Sequence, residues 1–284
     1  MEMIVLCGSA SKSLARDLAQ QTGAEIVEAS VKRFPDGEAY VRIERESLSG
    51  EVVIVQNSYP DSHLIELLLL QDAVRGLGAD KVTTVVPYFG YARQDRRFNP
   101  GEALSAKVMV EALATEADRL FSIDLHKPEI LQWFDRTETK NISAAPAIGE
   151  FFLNHGIDLV LAPDKGAEER ARQVANVLGC DHDHLTKTRL SDTEVRISPS
   201  QIDARGKDVL IVDDIISTGG TIIAASNELK RLGAKRVTAA CTHGLFVSGA
   251  LIKLRNACDR VVCTNTLENE VSAISVAKEV AKAI

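Results

Sequence analysis

The 284-residue sequence predicts an α/β fold of two similar Rossmann-like domains, each a mainly parallel sheet flanked by helices. Three observations predict it. Short Val/Ile/Leu runs alternate with helix-period stretches along most of the chain, the pattern of right-handed βαβ units. One such unit is repeated. GEVVIVQNS at Gly50 resembles GKDVLIVDD at Gly206, and the helices that follow end in RGLGADKVTTV at Arg75 and KRLGAKRVTAA at Lys230. The length suits one large or two ordinary domains, and a 45% hydrophobic content supplies core for both.

In chain order, strands are expected at 4–6, 52–56, 81–87, 119–123, 159–162, 209–212, 237–241 and 260–263, where β-branched and other apolar residues cluster. Helices are expected at 11–22, 62–77, 103–114, 167–178 and 221–232. A glycine just past the last turn closes both copies of the repeated helix. The domains meet near 141–150, so that 1–143 forms the first and 144–266 the second. The remainder, 267–284, carries a helix pattern at 270–283 that is expected to fold back on the first domain.

A net charge of −7 gives no general attraction to nucleic acid or to an anionic membrane. A polyanionic substrate must therefore be held by local cations or by metal ions. No segment approaches the roughly 20 apolar residues of a membrane span, and no charged leader is expected. The five cysteines are scattered without a C-x-x-C pair, which fits free thiols in a reduced cytoplasm. His182 and His184 read as solvated turn residues at a strand end rather than as metal ligands.

The most informative stretch is VLIVDDIISTGGT from Val209. An apolar strand runs into Asp213 and Asp214, then into Ser217, Thr218, Gly219, Gly220 and Thr221 at the start of a helix. Backbone N–H groups converging at a helix N-terminus bind phosphate, and glycines let the backbone come close. Paired carboxylates suit a ligand with vicinal hydroxyls. Together they describe a pocket for a sugar phosphate. Adjacent acids followed by S-T-G-G-T are hard to explain as a mere cap and turn.

Other stretches are weaker alone. GYARQDRRFNPGE holds Arg93, Arg96 and Arg97 beside a Gly/Pro loop, suited to a triphosphate or simply a solvated basic loop. His126, in DLH after the strand at 119–123, suits a metal ligand, a donor to phosphate or a structural histidine. Asp164, in APDKGA, heads a second strand–loop–helix joint able to hold diphosphate and Mg²⁺, or to cap an ordinary helix. In FPDGE, Phe34 can stack on a purine and Asp36 and Glu38 can accept from an exocyclic amine, although PDG by itself is a turn. Lys187 and Arg189 fall on one face of an extended segment by period-two alternation.

These fragments, in this order, resemble the ribose-phosphate diphosphokinases, or phosphoribosyl-diphosphate synthetases. The resemblance covers nearly the whole chain, and its specific pieces are FPDGE, GYARQDR, DLH, APDKGA, the Lys187/Arg189 pair and VDDIISTGGT. A phosphoribosyltransferase would share only the last of these. The resemblance implies two phosphoribosyltransferase-type domains and Mg²⁺-dependent transfer of the β,γ-diphosphoryl group of ATP to the 1-hydroxyl of ribose 5-phosphate, feeding nucleotide biosynthesis. It implies that Asp213 and Asp214 hold ribose hydroxyls or their metal, and that Ser217 to Thr221 cradle the 5-phosphate. Phe34, Asp36 and Glu38 would bind adenine and reach a neighbouring subunit, which requires a homo-oligomer, at least a dimer. Arg93 and Gln94 would contact ATP, His126 and Asp164 would surround Mg²⁺, and Lys187 and Arg189 would lie on a flap over the reacting phosphates.

Two departures stand out. KGAEER after Asp164 lacks the pair of small residues before a basic one that many relatives have. The chain is also shorter than many bacterial and eukaryotic relatives and looks closer to archaeal ones, which puts nucleotide inhibition at a separate site in doubt. A transferase that consumes the diphosphate, and a non-catalytic regulatory relative, are the rival readings. Presence of Lys187, Arg189, His126 and both acids argues against the second.

Overall fold

The computed structural model describes residues 3–189, 195–199 and 203–284; for 187–189 and 195–199 the description is of backbone alone. The chain divides into two compact units. The first comprises 1–143, 266–268 and 275–284, and the second 144–265 and 269–274.

In the first unit, β1 (Met3–Cys7), β2 (Glu25–Glu28), β5 (Glu51–Val55), β6 (Lys81–Val86), β7 (Arg119–Ile123) and β8 (Glu138–Ile142) form a parallel sheet of order β2-β1-β5-β6-β7-β8. Helices α1 (Lys12–Thr22), α2 (Asp61–Gly76) and α3 (Ser105–Leu113) make the crossovers. Burial of β5 through β7 on both faces explains why they read as largely apolar runs without alternation. The short hairpin β3 (Ser30–Arg33) and β4 (Ala39–Arg42) stands apart from this sheet and packs against α2.

The second unit repeats the plan. Helix α4 (Ala145–Phe152) leads to β9 (Leu159–Ala162), α5 (Glu168–Leu178), β10 (Asp181–Arg189), β11 (Val195–Pro199), β12 (Asp208–Ile216), α6 (Gly220–Arg231), β13 (Arg236–Gly244), α7 (Ala250–Ala257), β14 (Arg260–Thr264) and β15 (Ser272–Ile274). Sheet order is β11-β10-β9-β12-β13-β14-β15, parallel except for β10–β11. The repeat seen in the sequence is a repeat of geometry. After α2, Gly78 adopts φ 89° and its N–H donates to Arg75 O at 3.0 Å; after α6, Gly233 adopts φ 91° and donates to Lys230 O at 3.0 Å.

Three expectations need correction. The stretch 270–283 is not one helix: Ser272–Ile274 forms edge strand β15 beside β14, and α8 spans only Ala277–Ala281, packed against α1. His182 and His184 lie within β10 rather than in a turn, with Asp181–His184 paired to β9. Strand β12 runs past the expected end at 212 to Ile216, because the acids continue the pairing with β13.

The first unit closes on its own C-terminus. Buried Arg119 pairs with Glu51, donates to Thr83 Oγ1 at 2.9 Å and donates to Ile284 O at 3.2 Å. At the start of β12, Asp208 is 5% exposed and accepts from Arg236 Nε and Nη2 at 2.7 and 2.9 Å and from Lys235 Nζ at 3.2 Å. The Arg236 hydrogen bonds hold its carboxyl at about 2. A depressed carboxyl contributes stability above its unfolded pKa and loses it as pH falls through the folded value. Asp208→Asn should therefore cost about 1–2 kcal/mol at pH 7, discounted for the exposed cations. In thermal melts, the gap between wild type and variant should shrink between about pH 4 and 2; a gap independent of pH would refute the assignment.

Candidate functional site

In the second unit the site is built on the carboxyl ends of β9, β10 and β12, where ligands of parallel sheets bind. Asp213 and Asp214 occupy the last turn-ward part of β12. Asp213 Oδ1 accepts from Asp214 N at 2.9 Å, and Asp214 Oδ1 accepts from Ile215 N at 2.8 Å, so local backbone bonds orient both carboxylates. Burial pushes the Asp213 carboxyl up to about 8, the adjacent Asp214 charge adds to this, and Arg170 on α5 opposes it. Hydroxyl donors or a cation on this acid would favour its ionised form.

The loop after β12 leaves an anion site open. Gly219 caps α6 with φ 76°, with no side-chain cap on the helix amides. Thr218, Gly220 and Thr221 are exposed and Ser217 is half-buried. The amide dipoles of a twelve-residue helix therefore face outward without a partner built in. Gly219 is also needed sterically: a Cβ there would sit 3.1 Å from the Leu254 side chain of α7.

Asp164 follows β9. Its Oδ1 accepts from Gly166 N at 2.8 Å and Ala167 N at 3.2 Å, which starts a 3₁₀ turn at Lys165–Ala167. Its second oxygen is uncommitted among the described residues, so the cap leaves one oxygen available to a ligand. Mg²⁺ keeps several waters and takes one or two carboxylates plus phosphate oxygens. The arrangement fits that demand, and no cluster of three or more His, Cys, Asp or Glu groups suited to a metal forms among the described residues. Lys187 and Arg189 lie on the half of β10 that extends beyond β9 and pairs only with β11, Lys187 opposite Ile197 and Arg189 opposite Val195. Their side chains lie outside the described residues.

The first unit carries the other candidates. Phe34, Asp36 and Glu38 form the tip of the β3–β4 hairpin. Gly37, at φ 96°, donates to Phe34 O, and Asp36 Oδ1 accepts from Glu38 N at 3.1 Å. Phe34 is 50% exposed with its ring edge-on to Tyr40, which leaves aromatic surface for a flat ligand. Of the three arginines near the 91–102 loop, Arg97 Nε donates to Glu102 O and Arg96 lies over the Phe98 ring, whereas exposed Arg93 makes no ion pair among the described residues. Gln94 donates to Arg96 O and to Glu102 Oε2. The sequence reading missed Glu102, whose carboxylate also accepts from Phe98 N, Asn99 N and Asn99 Nδ2 and is held below its usual range by the Asn99 amide first. Its position at the end of N-P-G-E was the available signal. His126 is exposed at the end of the β7 turn, which is pinned by Leu125 N on Asn141 Oδ1 at 2.8 Å and strained at Asp124, φ 39°.

The repeat shows how the two units differ at this joint. Gln56 and Asn57 stand in the first unit where Asp213 and Asp214 stand in the second. Gln56 Oε1 accepts from Ala10 N, and Asn57 bonds Tyr88 N, Ala10 O and Thr266 O. The helix start that follows has Pro60 and Asp61 in place of glycines, and Asp61 accepts from the Tyr91 hydroxyl. The amides are spent on structure.

Comparison with known proteins agrees over the full length. Residues 3–116 match the model of the N-terminal domain of ribose phosphate pyrophosphokinase, and 140–279 match the phosphoribosyl transferase domain. A ribose-phosphate pyrophosphokinase of Thermococcus kodakarensis is 46% identical over 98% of this chain and 99% of its own, and one of Pyrococcus abyssi is 43% identical over 99% and 98%. The crystal structure of phosphoribosylpyrophosphate synthetase from Mycobacterium smegmatis superposes with a TM-score of 0.82 at 29% identity, covering 100% of this chain and 97% of that one.

Proposed function

Because the chain belongs to the ribose-phosphate pyrophosphokinase family, we propose that its two half-sites divide one reaction between them, ATP on the first unit and ribose 5-phosphate on the second. The enzyme converts ATP and ribose 5-phosphate to AMP and 5-phosphoribosyl 1-diphosphate. The 1-hydroxyl oxygen attacks the β-phosphorus, the bond from that phosphorus to the α-phosphate oxygen breaks, and the hydroxyl proton is lost. The single observation that carries this reading is the strand–acid–glycine joint at Asp213–Thr221, with two acids and a glycine-started helix in the second unit where the first has Gln56 and Asn57 bonded to its own backbone.

Each group then has a physical task. The α6 amides from Ser217 to Thr221 take the 5-phosphate, and Asp213 and Asp214 accept from ribose hydroxyls, which fixes the 1-hydroxyl for attack. Phe34 stacks on adenine, with Asp36 and Glu38 accepting from its amine, and Arg93 and Gln94 contact the ATP chain. Lys187 and Arg189 neutralise the transferring phosphates. Mg²⁺, for which we assign Asp164 through its uncommitted oxygen together with His126, would supply charge neutralisation on the phosphate oxygens. Five free thiols support a reduced compartment, the cytoplasm.

One assay tests the reaction. With purified enzyme, AMP should appear from ATP only when ribose 5-phosphate is added, in equal amount with the diphosphate product. AMP release that ignores ribose 5-phosphate, or consumption of the diphosphate with a nucleobase, would overturn it.

The assembly we propose is a homo-oligomer, at least a dimer, with the nucleotide segment near the subunit contact. Helix α2, against which the β3–β4 hairpin packs, leaves Ile65 and Leu69 exposed at 50% and 36%, one turn apart on its outer face. The double variant Ile65→Asp, Leu69→Asp should lower the mass seen by light scattering to that of the monomer while circular dichroism stays unchanged. An unaltered mass would remove this face from the contact.

A further inference from the structure

Beside the sugar-phosphate acids, two thiols lie in one row across the second unit's sheet. Asp213 on β12 is the register partner of Cys241 on β13, Cys241 of Cys263 on β14, and Cys263 of Ser272 on β15. Register partners on parallel strands project to the same face, about 4.8 Å apart. Disulfides form at Cα separations of about 4.4–6.8 Å, so this spacing needs no strand movement. Both cysteines are fully buried, and the Cys241 thiol hydrogen-bonds the Cys263 sulfur. We propose that Cys241 and Cys263 form a redox modification site, a dithiol that a peroxide converts to a disulfide next to the ribose-binding acids.

The chemistry balances. The Cys263 sulfur attacks a peroxide oxygen, the O–O bond breaks, and a sulfenic acid and water result. The Cys241 sulfur then attacks Sγ of Cys263, the S–O bond breaks, and a second water leaves. Two thiols and one hydrogen peroxide give one disulfide and two waters. Cys263 is the attacking group because polar groups line its sulfur, Ser272 Oγ at 3.4 Å and Asn269 Nδ2 donating at 3.3 Å, whereas burial raises the Cys241 thiol. Access comes through the sheet edge. Edge strand β15 is only three residues long and its pairing shifts register at Cys263/Thr264, so this edge opens at less cost than the core. The disulfide changes the side chain of Cys241, the register partner of Asp213 on the same face, and so alters the surroundings of that acid; this consequence rests on the site reading above.

The test uses the full-length enzyme, reduced and then treated with hydrogen peroxide. Proteolysis without reductant should yield a linked Cys241–Cys263 peptide, ribose 5-phosphate affinity by calorimetry should fall roughly tenfold or more, and dithiothreitol should restore both. Cys263→Ala, or Cys263→Ser where Ala is unstable, should lose both responses. Absence of the linked peptide once half-buried Cys180 is oxidised would overturn the site, and a linked peptide with unchanged affinity would overturn its coupling to the sugar. The peptide is scored whether or not the reduced enzyme binds ribose 5-phosphate, so a failure of the site assignment is seen separately.

Discussion

Lys187→Ala is expected to lower kcat about 10²–10³-fold while ribose 5-phosphate still binds. The reaction moves a diphosphoryl group carrying several negative charges from one oxygen to another, and little covalent work is left for the protein. A cation aimed at the transferring group earns its effect in the transition state, where charge builds on the AMP leaving oxygen. Its removal should therefore appear in kcat, with the dissociation constant of ribose 5-phosphate, measured by calorimetry, within about threefold of wild type. Lys187 and Arg189 are two residues apart on the part of β10 that extends beyond β9 and pairs only with β11. Arg189→Ala should follow the same pattern. A nearly normal kcat for Lys187→Ala would sink the assignment.

How far the sequence could be read depends on what held each element. Strands β5, β6, β7 and β9 were legible because burial on both faces makes them mostly apolar, and such a run needs no context. The end of β12 was not, because Asp213 and Asp214 interrupt its apolar run, and its continuation to Ile216 comes from pairing with β13 rather than from their own preference. Ser272–Ile274 fits a helical period in sequence, and only the free edge of β14 selects it as a strand. The β3–β4 hairpin was within reach, since V-K-R and Y-V-R flank a P-D-G turn, but the turn drew attention and the strands did not. In the site, the sugar-phosphate loop was legible because its backbone chemistry is local to one stretch. Arg170 opposing the rise of Asp213, and Asn141 pinning the turn before His126, depend on segments distant in sequence. The different fates of Gln56–Asn57 and Asp213–Asp214 lay between these cases: the repeat exposed the substitution, and only the hydrogen bonds explain it.

Gly219→Val should have the largest effect on substrate capture. Two independent constraints meet at this residue. Its φ of 76° costs an L side chain about 1–2 kcal/mol, more when β-branched, and its Cβ would stand 3.1 Å from Leu254. Leu254 is fully buried in the second unit's core, so the loop and the first turn of α6 must yield instead. That turn carries the amides proposed above to take the 5-phosphate. Losing two hydrogen bonds to a charged group, at about 1.5–3 kcal/mol each, predicts an increase of about 10²-fold or more in KM for ribose 5-phosphate. The KM for ATP should change little, because the groups assigned to the nucleotide belong to the first unit. Gly219→Ala should fall between wild type and valine, since it keeps the strain and lessens the clash. Equal rises in both KM values would point to general unfolding, which a thermal melt detects, and an unchanged KM for ribose 5-phosphate would mean that the α6 amides do not hold its phosphate.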